Sequence, residues 1–125
     1  MEIGESRWVS VQKRTVDSEV RRLGLNPVLA KIGAQSHEPG VIEGMKATLE
    51  RRPVVMALIG EPGLAIVRRR MEELGYESFR ILRQRLERPP WPQGPETMVL
   101  FATPEQVRNV PMIAGAIRSP GRSRR

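Results

Sequence analysis

Cysteine is missing from these 125 residues, and histidine occurs once, at His37. Disulfides, thiolate metal sites and a cysteine nucleophile are thereby excluded. A single imidazole leaves little material for a zinc site. Aromatic residues make up only 4% of the chain, so a core must be built from Val, Leu, Ile, Met and Ala. No apolar run approaches the roughly 20 residues that cross a bilayer. The start, from Met1 to Glu5, is acidic and lacks a secretory pattern. The expectation is a cytoplasmic protein with no membrane partner.

What the chain does have is positive charge, a formal +7, with arginine far outnumbering lysine. A basic surface attracts polyanions. Here Arg68, Arg69 and Arg70 fit an exposed helix face, and Arg118, Arg122, Arg124 and Arg125 fall in a tail. Aromatics do not alternate with the basic residues as a base-stacking surface requires. Nucleic acid is therefore not the expected partner. A module that binds RNA or another polyanion by charge stays as an alternative, as does a protein that recruits partners through an open sheet edge.

The length allows one domain with a modest core. Trp8 to Val11 alternates like an edge strand. Thr15 or Asp17 can cap a helix through Leu23, stopped by Gly24. An apolar run at about 28–32 is followed by a polar, turn-rich loop at 33–39. Val41, Ile42, Met45 and Leu49 then share one face of a helix expected from about 39 to 51. Val54 to Ile59 is a second strand, so the unit reads as βαβ with a right-handed crossover. Residues 60–63 form a turn, and Leu64, Val67, Met71 and Leu74 mark the inner face of the next helix, closed by Gly75. Strands at 78–82 and 97–102 are read as an antiparallel pair. The proline-rich stretch between them, Arg88 to Pro95, cannot hold regular structure. One α/β domain is expected over 1–108, with a disordered basic tail over 109–125.

Several of these pieces resemble the C-terminal half of the FkbM-type methyltransferases. The resemblance rests on Thr15, Val16 and Asp17, then Leu23, Gly24 and Leu25, then Lys31 and Ile32 entering the polar loop with Glu38. It continues through Val41 to Met45, Arg52 to Val55 and Glu73 to Tyr76, and covers about residues 10–102. It implies the C-terminal part of a Rossmann-like sheet, with parallel strands and an antiparallel terminal pair. It also implies S-adenosylmethionine as cofactor and a small-molecule or sugar hydroxyl as methyl acceptor. The family's glycine-rich cofactor loop belongs to an upstream half not found in these residues. The chain is therefore expected to be catalytically silent alone, with a separately encoded N-terminal half as a possible partner.

In such sheets, ligands bind beyond the carboxyl ends of the strands, which here means the loop at 33–39. The resemblance makes Gln35, His37 and Glu38 the acceptor-side, catalytic candidates. Glu38 would serve as general base or orient the acceptor hydroxyl, and His37 would take a proton. Each also suits a plainer role. Glu38 fits a helix's first turn, where negative charge contributes ~0.3–1 kcal/mol, and His37 fits an exposed loop. Two positions depart from the family pattern: Gly33 stands where an aspartate is usual, and Ser36 where a glycine is. Ser36 implies either that the loop no longer needs a permissive φ or that it carries strain. Residues 60–63 are glycine-rich, but Glu61 repels anions and no phosphate-binding spacing is present.

Overall fold

A computed structural model describes residues 10–34 and 36–118. The first helix, α1 (Val16–Leu23), starts where Thr15 accepts the Ser18 N–H on its Oγ1 at 3.0 Å and ends at Gly24, φ 63°. Strand β1 (Leu29–Ile32) follows, then the loop, then two short helices, α2 (Glu38–Glu43) and α3 (Lys46–Glu50). The single helix expected here is broken at Gly44 and Met45, and the cause lies in α1. The Asp17 N–H donates to the Gly44 carbonyl at 2.9 Å. A Cβ on Gly44 would sit 3.2 Å from Thr15 Cβ, a tight contact that glycine avoids as the start of α1 comes close. The Asp17 carboxylate then accepts N–H groups of Ala47 (2.9 Å) and Thr48 (2.8 Å) and the Thr48 hydroxyl (2.6 Å). Asp17 thus caps α3 from another helix, satisfying donors that a helix start leaves unpaired. Desolvation pushes the Asp17 carboxyl upward. The hydrogen bonds from Thr48 and Ala47, with the charge of Arg21, outweigh that and hold its pKa below the ordinary value.

Strand β2 (Val54–Ile59) leads into α4 (Gly63–Glu73), which Gly75 closes at φ 89°. Next come β3 (Glu77–Leu82) and β4 (Arg85–Glu87), a hairpin turned at Arg83 and Gln84 with Gln84 at φ 51°. After the proline-rich loop come β5 (Thr97–Ala102), α5 (Pro104–Asn109), α6 (Pro111–Ala116) and the two-residue β6 (Ile117–Arg118). Thr103 and Gln106 form a reciprocal capping box at the start of α5.

The strands make one six-stranded mixed sheet in the order β1-β2-β5-β3-β4-β6. β1 and β2 are parallel, with Ala30 beside Val55. β5 is antiparallel to both of its neighbours, β2 and β3. The expected antiparallel pair is therefore present, but it is not terminal. β5 is inserted at the centre, and the unforeseen β4 and β6 extend the sheet beyond β3.

On one face, Ile32, Val55, Ala57, Ile59, Val99 and Phe101 pack against Ile42, Met45 and Leu49 of α2–α3 and Val67 and Met71 of α4. Tyr76 joins this core, and its hydroxyl donates to the Pro53 carbonyl at 2.6 Å. Desolvation raises its pKa to about 12. On the other face Phe79, Leu86, Leu100 and Ala102 pack against Val107 of α5, with Ile113 and Ala116 of α6 beside them.

Two expectations need amending. The segment from Asn109 was read as disordered, yet α6 and β6 carry regular structure to Arg118. Pro111 opens the helix where its missing N–H has no partner to lose, and Ile113, Ala116 and Ile117 supply the packing. Residues 119–125 lie outside the described residues. So do Trp8 and Val9 of the expected first strand, and Ser10 and Val11 are not in a strand.

Candidate functional site

The loop at 33–38 sits at the carboxyl end of β1, on the sheet edge where ligands gather in parallel arrangements. Its organiser is Glu38. The side chain is only 2% exposed. Its Oε2 accepts the backbone N–H of Ala34 at 3.3 Å and of Ser36 at 3.2 Å. Those bonds fold the loop back onto the first turn of α2. Its other oxygen faces the turn after β2, where a Cβ added to Gly63 would lie 3.8 Å from Glu38 Oε1 and 3.8 Å from Pro39 Cδ. Glu38 therefore holds the loop after β1 and lies beside the turn after β2. This geometry suits a positioning carboxylate, since two backbone donors already occupy one oxygen.

Ser36 resolves the alternative raised by its sequence. Its φ is 77°, in the left-handed region that glycine adopts without penalty. The loop adopts a conformation that suits glycine and accepts strain from a side chain. Gly33 has no positive φ, and a Cβ there would meet nothing within 4 Å, so a larger side chain has room at this position.

His37 is exposed and stands at the N-cap position of α2 without a side-chain capping bond. Gln35 lies outside the described residues. Lys31 is exposed on β1, the edge strand. Glu38 and His37 thus share the loop but differ in environment, one buried and engaged, the other open. Among the described residues no group of three or more His, Cys, Asp or Glu side chains is placed to hold a metal ion.

Two clefts flank this edge. The first, about 640 Å³, lies between the loop and the chain entering α1, with Lys13, Thr15 and Val16 on one wall and His37, Gly40 and Val41 on the other. Nothing in the local sequence marks Lys13 to Val16 as part of a site. They reach it only because α1 docks at the break between α2 and α3. The second cleft, about 390 Å³, lies beyond β2 under the proline-rich loop. Trp91 closes it. Its indole N–H donates to the Glu87 carbonyl at 2.9 Å, and the Arg68 guanidinium stacks 4.7 Å from the ring centroid. This tryptophan folds back on the domain instead of standing out as a partner anchor. Arg68 is also held by Ser78 Oγ at 3.3 Å and Glu72 at 3.4 Å.

Part of the positive charge is paired among the described residues. Arg14 and Arg22 meet Glu19, Arg69 and Arg70 meet Glu73, Arg80 meets Glu87 and Arg88 meets Glu77. Among the described residues no helix is long and apolar enough to cross a membrane. Compared with known proteins, the chain matches no family model, no curated protein and no solved structure.

Proposed function

We propose that this chain is the C-terminal portion of an S-adenosylmethionine-dependent O-methyltransferase of the FkbM type, built on a Rossmann-like sheet and silent by itself. One observation carries the reading. The parallel pair β1–β2 brings its two carboxyl-end loops together at Glu38 and Gly63, next to an antiparallel β5–β3 pair of the kind the resemblance implies. Methyl transfer is an in-line displacement, so alignment of the acceptor oxygen matters more than covalent catalysis. In this reading Glu38 holds the loop and His37 faces a small-molecule or sugar hydroxyl, with Gln35 a further acceptor-side candidate. A glycine-rich cofactor loop is absent from these residues, and Gly33 offers no carboxylate. In this reading, cofactor binding needs a glycine-rich loop from outside these residues.

Calorimetric titration with S-adenosylmethionine tests this. The chain alone is expected to release no binding heat. Mixed with the N-terminal half of an FkbM-type methyltransferase, and carrying Gly33→Asp and Ser36→Gly, it is expected to form a complex that binds the cofactor. Binding by the chain alone, or none by the complex, would overturn the proposal.

The open edge of β1 favours a second reading, an interaction protein. Leu29 is 56% exposed on that strand, and β1 pairs only with β2 among the described residues. An unpaired edge is a template for another chain's strand. The polyanion-binding alternative is weakened by the glutamate partners of so many arginines.

A further inference from the structure

We infer that the cleft between the entry to α1 and the loop before α2 is a binding site for a small organic anion with an apolar body. At about 640 Å³ it falls within the size range of pockets that take small molecules. Its walls carry Val16, Pro39 and Val41, which offer an apolar ring or short chain a dry surface. It is also lined by Lys13, Arg14 and His37, and by no acidic side chain among the described residues. Elsewhere in the described residues several arginines are met by a glutamate. Arg14 is held by Glu19 at 3.2 Å and by Gln12 at 2.8 Å, so its guanidinium is already fixed in place. Lys13 makes no ion pair among the described residues, and His37 leaves its imidazole free of any capping bond. Lys13 and His37 thus line the same cleft as the apolar Val16, Pro39 and Val41. The match is to a ligand with one carboxylate or phosphate at one end and an apolar body at the other.

The inference rests on the methyltransferase reading only where it goes further. There, the bound anion would be the methyl acceptor, and its class becomes a hydroxy acid instead of a neutral sugar. Binding itself needs neither cofactor nor partner half, so the two ideas fail separately.

Gly40 offers a clean probe of the cleft. A Cβ there meets nothing within 4 Å, and its φ is ordinary. Gly40→Leu therefore adds a side chain to open space while raising helix propensity in α2. The experiment is an amide NMR titration of the unmodified full chain with 4-hydroxybenzoate, and in parallel with uncharged 4-hydroxybenzyl alcohol. Saturable shifts are expected at Gly40, Val41 and Gly44, with the alcohol weaker by about tenfold. Lys13→Ala is expected to bring the acid down toward the alcohol's affinity. Gly40→Leu, with an otherwise unchanged spectrum, is expected to remove the shifts. Equal response to both compounds, shifts centred elsewhere, no shifts at all, or undiminished binding in Gly40→Leu would each overturn the inference. If the anion binds while the reconstituted complex fails to take cofactor, the cleft stands and the methyltransferase reading falls.

Discussion

Ser36 is the residue at which local strain and candidate function meet. A side chain at φ 77° costs roughly 1–2 kcal/mol, partly offset by glycine's greater freedom in the unfolded chain. Ser36→Gly is therefore expected to stabilise the fold by about 0.5–1 kcal/mol, read as a higher urea midpoint with unchanged slope. An unchanged or lower midpoint would mean the loop conformation differs from the one described. Tyr76 supplies a second residue-scale prediction. It is the sole tyrosine of the chain, so its ionisation can be followed by tyrosinate absorbance without interference from another phenol. Its pKa is raised from 10.0 to about 12. The unfolded chain therefore ionises first. The stability contributed by the buried neutral phenol is complete below the unfolded value and fades as pH rises from 10.0 to about 12. Tyr76→Phe is expected to lose about 1 kcal/mol near neutrality, the worth of the bond to Pro53, and to lack the alkaline decline. The same decline in the variant would assign it to other groups.

At the scale of elements, the joint between α1 and α3 rests on one carboxylate. Asp17→Ala removes three hydrogen bonds and the cap of α3, and is expected to cost about 1–2 kcal/mol. Because the folded pKa of Asp17 is depressed, its contribution is present above the unfolded carboxyl value and disappears as pH falls through the folded one. An acid titration of unfolding free energy, wild type against Asp17→Asn, should show the wild type losing more on acidification. Parallel curves would remove Asp17 from that role.

Much of this level was readable in advance. The β1–loop–helix–β2 unit followed from an apolar run, a polar loop and a helical stripe, all local patterns. Gly24 and Gly75 stop their helices as their positions suggested. The break at Gly44 was hidden, because a glycine inside a continuous apolar stripe signals nothing until Thr15 is packed against it. β4 was hidden as well. It has three residues, and its turn uses Arg83 and Gln84 where a glycine or asparagine would have announced a hairpin. For the candidate site, Gln35, His37 and Glu38 were marked by the resemblance at this loop, while composition alone suggested only a polar turn before a helix. The cleft's other wall, Lys13 to Val16, depends on tertiary docking that no short window of sequence contains.

For the whole molecule, the uneven sheet implies uneven protection. β5 is flanked on both sides and its Val99, Phe101 and Ala102 are fully buried, whereas β1 lies at the edge with Leu29 and Lys31 exposed. Hydrogen exchange is expected to be slowest at β5 and its partners and much faster at β1. In a complex with a chain that adds a strand there, the β1 amides are expected to slow markedly. Slow exchange at β1 in the isolated chain at low concentration would mean the edge is already paired.

The central position of β5 also orders events in time. β2 and β3 do not touch as sheet neighbours; only β5 joins them. As the chain emerges from a ribosome, the piece holding β1, α2, α3 and β2 and the piece holding β3 and β4 both appear before the strand that bridges them. Until residues 97–102 are released, Val55 and Ala57 of β2 and Phe79 of β3 have no central strand to pair with. Folding of this sheet therefore waits on β5, and a nascent chain stalled before Thr97 would expose two unmatched edges to whatever chaperone waits at the tunnel exit.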